Sequence, residues 1–113
     1  MPDESPRRIR LDALAYGGDY NPDQWSEETW HDDARLMREA GVNLVSLPVF
    51  SWPQLEPRPG EYDWGWLDRV IDVLWDAGIR TDLATATATP PSWLVRRHPE
   101  MLPCDEDGRR LEP

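Results

Sequence analysis

The sequence predicts an α/β chain in which parallel strands alternate with amphipathic helices. Two apolar runs, VNLVSLPVF from Val42 and IRTDLATATAT from Ile79, have the β-branched and apolar content of strands, and each directly follows a segment of helical periodicity. The junctions repeat as Ala40-Gly41-Val42 and Ala77-Gly78-Ile79, helix end into strand start. The turns into the strands are tight, whereas the connections leaving them are long and rich in proline, glycine and tryptophan.

Residues 1–12 are polar, with Pro2, Pro6 and three arginines, and are expected to form a flexible lead-in to a single unit over 13–113. Leu14-Ala15-Tyr16 reads as a short first strand, ended by Gly17-Gly18 and the Asn21-Pro22 pair. Ser26 is placed to cap a helix, with Glu27 and Glu28 in the first turn where the helix dipole favours negative charge. Trp30, Ala34, Met37 and Ala40 then recur at helical spacing, and Gly41 ends the helix. A second strand is expected from Val42 to about Val49. A proline-rich loop follows, and a second helix starts near Trp64 with Leu67, Val70, Ile71, Leu74 and Ala77 on one stripe. Gly78 caps it, the third strand runs from Ile79 through the Thr-Ala repeat, and Ser92–Arg97 forms a short helix after Pro90-Pro91.

Short turns at one end and elaborate loops at the other describe an α/β barrel or a doubly wound sheet, with function on the loop side. No GxGxxG or phosphate-binding loop follows any strand, which favours the barrel. The expected architecture is the first three strands and intervening helices of a (β/α)8 TIM barrel. The 113 residues fall short of the ~250 of a complete barrel, so it is incomplete in this chain. An open third strand leaves an unpaired edge and a partial core, so the chain is expected to fold poorly alone.

Composition narrows the function. The formal charge of −10, with arginine supplying every Lys/Arg charge, argues against nucleic acid or an anionic membrane surface as partner. No stretch approaches the ~20 apolar residues of a membrane span, and MPDESPRRIR lacks the apolar run of a signal peptide; a cytoplasmic location is expected. A single cysteine, Cys104, gives no disulfide framework and no cysteine-rich metal site. Seven tryptophans in so short a chain suggest that some line a cavity, against the alternative that they fill the core.

The loops present aromatic faces beside carboxylates, amides and hydroxyls: Asp19, Tyr20, Asn21 and Trp25 in the first, Trp52, Gln54 and Glu56 in the second, Thr87, Thr89 and Trp93 in the third. A pyranose offers apolar C–H faces for a ring and hydroxyls for fixed acceptors and donors, so this composition suits sugars. Each residue has a plainer reading beside this one. Glu56 can anchor its loop by bonding backbone, and Asp19 can cap the turn after Gly18. Trp52 and Trp93 can wall a pocket or pack their own loops. Trp30 and Trp75 are expected to pack within helices, and Trp64 and Trp66 to staple the start of the second helix. His31 is expected at the surface. Asp82, inside the third strand, needs a partner or a wet interior.

Three segments carry a resemblance. Tyr20-x-Pro22-x-x-Trp25, the run W-x-x-x-E-P-x-x-G-x-Y-x-W-x-W-L-D from Trp52 to Asp68, and T-A-T-P-P-x-W-L from Thr87 to Leu94 together resemble the start of the catalytic barrel of glycoside hydrolase family 42, the microbial β-galactosidases. The likeness covers roughly Tyr16 to Arg110. The E-P-x-x-G-x-Y part is shared by related retaining glycosidase barrels, including family 35. The resemblance implies hydrolysis of terminal β-D-galactosides with retention, by two carboxylates that follow strands four and seven, the acid/base being the Glu of an Asn-Glu pair. The sequence holds no Asn-Glu dipeptide, so no catalytic residue is assigned to it. What remains for these residues is substrate binding, through Asp19, Tyr20, Asn21, Trp52, Glu56 and Trp93. No cofactor is implied, and Cys104 lies upstream of the family's zinc-cluster cysteine and inherits no metal role. The implied partner is the β-galactoside, with a homo-oligomer possible for the complete enzyme. A family 35-like glycosidase, or a non-catalytic truncated product that binds a sugar or a partner, are the alternatives.

Overall fold

The computed structural model describes residues 13–111; the expected flexible lead-in at 1–12 lies outside them. Two strands, β1 (Leu44–Leu47) and β2 (Arg80–Leu83), pair in parallel with Leu44 opposite Arg80 and Leu47 opposite Leu83. The helices are α1 (Glu27–Glu39), the single turn α2 (Trp52–Leu55), α3 (Gly65–Asp76) and α4 (Ser92–Arg97), with 3-10 turns at Pro22–Gln24 and Pro99–Met101.

Local chemistry sets these boundaries. The Ser26 hydroxyl accepts the Thr29 N–H at 3.3 Å, and Glu27 and Glu28 fill the first turn of α1. Gly41 and Gly78 end α1 and α3 at φ of 85° and 77°, a left-handed conformation that side chains with a Cβ disfavour. The repeated Ala-Gly-β-branched triplet is therefore one solution, used twice, for turning a helix into a parallel strand.

The first expected strand is corrected. Leu14-Ala15-Tyr16 forms no strand, and Leu14 is 91% exposed. The chain instead runs beside β1 and makes one isolated parallel bridge at Asp19–Ser46. Ser46 N donates to the Gly18 carbonyl at 3.0 Å and Tyr20 N to the Ser46 carbonyl at 3.0 Å. The Asn43 amide holds the earlier part, accepting from Tyr16 N and donating to the Leu14 carbonyl. Gly17-Gly18 brings no side chains to pack, so the ladder does not extend. The close approach is itself a glycine property, because a Cβ on Gly17 would overlap the Leu44 carbonyl oxygen.

The other strands are shorter than expected. β1 stops at Leu47 because Pro48 has no N–H to continue a ladder. That ends β2 as well: Ala84 N donates to the Leu47 carbonyl at 2.8 Å, and beyond it β1 has turned away. The Thr-Ala repeat after Ala84 is bend and turn, not strand.

One apolar cluster holds the pieces together. Trp30 and Ala34 of α1, Val45 and Leu47 of β1, Leu55 of α2, Leu67, Val70 and Leu74 of α3, and Ile79 form it. Met37, Ile71 and Ala77 are half-buried against it, while Ala40 is exposed at the helix end. Trp30 packs as expected and donates its Nε1–H to the Pro22 carbonyl at 2.8 Å, seating the first loop on α1. Trp75 does not pack; it is 64% exposed, because its position on α3 faces away from the sheet. His31 is at the surface.

Leu74 has no exposed surface, so Leu74→Ala should lower unfolding stability by about 2–5 kcal/mol. Urea unfolding followed by far-ultraviolet circular dichroism measures this. Gly17→Ala should detach the segment before Tyr20 from β1, read as faster amide exchange at Ser46 and Tyr20 with α3 protection unchanged.

Candidate functional site

β1 and β2 end on the same side, and the chain leaving each contributes to one open groove of about 270 Å³. Pro48, Trp52, Leu55 and Glu56 line it from the connection after β1, and Leu83 at the end of β2 and Ala84 to Thr87 after it line the other side. The small side chains of Ala84, Thr85, Ala86 and Thr87 keep that wall low. Tyr62 and Trp64 form the remaining rim with their rings stacked, centroids 5.4 Å apart and planes 8° from parallel. Both rings are more than half exposed, at 57% and 52%, and present a wide aromatic surface beside the groove.

Glu56 organises this end of the molecule. It is 8% exposed, and each of its oxygens has a donor. Trp52 Nε1 donates to Oε1 at 3.0 Å, and the Gly60 N–H to Oε2 at 2.9 Å. Trp93 Nε1 donates to the Glu56 backbone carbonyl at 2.9 Å. The Trp52 bond, then the Gly60 bond, and more weakly the Tyr62 hydroxyl hold the carboxyl pKa below its ordinary 4.5 against the opposing effect of burial. Glu56 therefore stands as an ionised acceptor at neutral pH. Trp93 is held from a second direction by Arg97, whose guanidinium carbon lies 5.7 Å from the ring centre.

The first loop lies on the other side of β1, since Ser46 faces Asp19 on one flank and Asp82 on the other. Asp19 is exposed and Asn21 is half-buried at the start of the 3-10 turn. The Tyr20 hydroxyl donates to Asp33 at 2.7 Å; burial, then that bond and the charge of Asp33, push its pKa well above 10. Asp82 accepts from the Ser46 hydroxyl at 2.9 Å on the exposed face of the sheet. The buried Ser51 hydroxyl donates to Asp23 at 3.1 Å and ties the second loop to the first.

The structure thus brings Trp52 and Glu56 into one groove and fastens Trp93 to Glu56. Asp19, Tyr20 and Asn21 form a separate group and do not line that groove. Sequence reasoning missed Tyr62 as a groove residue and assigned Trp64 to helix packing. The signal was present in Tyr62-x-Trp64, two aromatic residues at strand-like spacing just after a glycine turn. A second concavity of about 460 Å³ lies between the first loop and the start of α3, with Trp25, Trp30 and Trp66 among its walls. The Trp66 Nε1 is buried with no hydrogen-bond partner among the described residues. Those residues hold no cluster of three or more His, Cys, Asp or Glu that could bind a metal ion, and no helix among them is long and apolar enough to cross a membrane.

The lowered pKa of Glu56 makes a linkage prediction. A depressed folded-state pKa contributes stability above the unfolded value and loses it as pH falls through the folded value. Stability should therefore fall as the pH drops below about 4.5, and Glu56→Gln should be less stable than the parent at pH 7 and flatter in this acid range. Urea midpoints measured from pH 7 to pH 3 check both parts.

Comparison with known proteins gives this geometry a context. The family model for glycoside hydrolase family 42, beta-galactosidase, matches residues 19–113. A beta-galactosidase of Bifidobacterium bifidum is 62% identical over 100 residues, 88% of this chain and 14% of that protein. One from Geobacillus sp. (strain Y412MC61) is 57% identical over 98 residues, 87% of this chain and 15% of that protein. Among solved structures, the beta-galactosidase of Bacillus circulans sp. alkalophilus superposes with a TM-score of 0.79 at 37% identity, covering 88% of this chain and 15% of its own. That of the psychrophilic Marinomonas ef1 gives 0.76 at 46% identity, covering 87% and 15%. The chain spans about 15% of the length of the relatives it matches. With the family model matched across 19–113 and the fold shared at this identity, the chain belongs to glycoside hydrolase family 42.

Proposed function

We propose that this chain forms the opening part of the (β/α)8 barrel of a β-galactosidase that hydrolyses terminal β-D-galactose residues with retention. The observation that carries the proposal is the groove at the ends of two parallel strands, in a chain 62% identical to a β-galactosidase over 100 residues. Loops at that end of an α/β barrel are where its active sites are built. The parallel segment at Gly18–Tyr20 would be the first barrel strand, β1 the second and β2 the third.

Retaining hydrolysis needs two carboxylates about 5–5.5 Å apart, one as acid/base and one as nucleophile. On this reading both come from parts of the barrel that the present residues do not include. These residues would instead shape one wall. Trp52 and the Tyr62–Trp64 stack line the groove, and Trp93, held to the Glu56 carbonyl outside that lining, would add a further ring for the apolar faces of galactose. Asp19 and Asn21, on the far side of β1, would meet sugar hydroxyls from the first loop. The third-strand exit, where only Thr and Ala project, leaves room for the sugar. The acidic composition fits a neutral substrate and no nucleic-acid partner, and a cytoplasmic setting is part of the same proposal.

The test is a graft. The 113-residue chain by itself should not hydrolyse a nitrophenyl β-galactoside. Placed in the Bifidobacterium bifidum β-galactosidase in exchange for the matched segment, it should support turnover. Trp52→Ala in that hybrid should raise KM about tenfold through lost stacking, with a smaller change in kcat. Turnover by the isolated chain, or an inactive but folded hybrid, would refute the proposal.

A further inference from the structure

The hydrogen bonds of Glu56 reach beyond its own loop. Its three oxygens take donors from three separate pieces of chain: Trp52 on α2, Gly60 in the turn that follows, and Trp93 on α4, which comes after β2. We propose that Glu56 is a positioning residue that orients both tryptophans as one unit, coupling the connection after β1 to the helix after β2, without itself touching the saccharide. This rests on the reading of Trp52 and Trp93 as walls of the sugar site.

Three features support it. First, the side chain is 8% exposed and both carboxylate oxygens already have loop donors, which leaves little of Glu56 for a sugar hydroxyl. Second, an indole has one donor, so a bond at Nε1 selects one ring orientation, and flipping the ring abandons a bond in a half-buried place. Both wall indoles are pinned in this way by the same residue. Third, Arg97 lies over one face of Trp93, 5.7 Å from the ring centre, so a ligand that stacks on this ring has to use the opposite face. The Glu56 carbonyl and Arg97 together thus decide which face α4 presents. Gly60, at φ 74°, gives the turn that aims its N–H at Oε2.

Glutamine matches glutamate in size but not in chemistry. A carboxylate accepts on both oxygens, whereas a carboxamide has one oxygen and an NH2 that would face one of the two donors. Glu56→Gln therefore breaks one side-chain bond with little change of volume. The experiment is nitrogen–proton NMR of the full chain labelled at tryptophan and glycine. In Glu56→Gln the Trp52 indole and Gly60 amide signals should move, and the Trp93 indole signal should move with them although its acceptor is a backbone carbonyl. Trp93→Phe keeps a ring and removes the donor; in it the Trp52 and Gly60 signals should shift in return. This second variant decides the matter if the first does not fold. A Trp93 signal that stays in place in a folded Glu56→Gln chain, or Trp52 and Gly60 signals unmoved in Trp93→Phe, overturns the coupling. A parallel titration with methyl β-galactoside should perturb both indoles in the parent and require about tenfold more sugar in Glu56→Gln. The sugar-free spectra test the coupling, and the titration tests the sugar reading separately. An absent sugar response with coupled shifts intact would sink only the latter.

Discussion

Everything in this chain hangs on one buried surface, the face of β1 that carries Val45 and Leu47. Those two side chains are 2% and 0% exposed, and the cluster around them draws residues from α1, α2 and α3 together with Ile79, just before β2. A two-stranded sheet has little intrinsic stability, so its strands persist only where a helix covers them. α3 does most of this through Leu67, Val70 and Leu74, spaced to fall on one stripe. The Arg69–Glu27 pair at 2.6 Å also joins α3 to α1, but both partners are more than half exposed and such pairs contribute little. Apolar burial, not charge, sets the arrangement.

On the loop side the organising agent is polar. Glu56 would be costly to bury without donors, and it is tolerated because two N–H groups meet its oxygens. The same carboxylate converts a proline-rich connection into a defined shelf for aromatic rings. Ser51, with no exposed surface, performs a smaller version of this task by bonding Asp23 across to the first loop. The two loops are consequently tied to each other and to the strands, which is what a site assembled from several connections requires.

Much of this was legible in the residues. The caps at Ser26, Gly41 and Gly78, the stripe on α3 and the short helix at Ser92–Arg97 are local, and local rules predict them. The carboxylate among aromatics at Glu56 stood out for the same reason, as did the plainer reading that it anchors its loop. The misreadings share another origin. The Thr-Ala repeat has strand composition, but a parallel strand lasts only as long as its neighbour, and β1 leaves at Pro48. Leu14-Ala15-Tyr16 has strand composition too, yet the bridge forms further on at Asp19, where the chain lies against Ser46. Trp75 satisfies helical spacing, but nothing within the described residues covers that face of α3.

The sequence by itself determined the succession of α1, β1, α3, β2 and α4, the parallel α/β class, the helix ends and the family, because each is encoded in residues close together or in motifs of fixed spacing. The tertiary structure alone decided how far each strand runs and which loop residues share a groove. It alone decided that Glu56 holds Trp52 and Trp93 together. Those outcomes depend on partners distant in the chain: an acceptor on Leu47 for Ala84, a carbonyl at Glu56 for an indole at Trp93. No local pattern records where a backbone carbonyl will meet a donor from another element, since that is settled only when the elements pack.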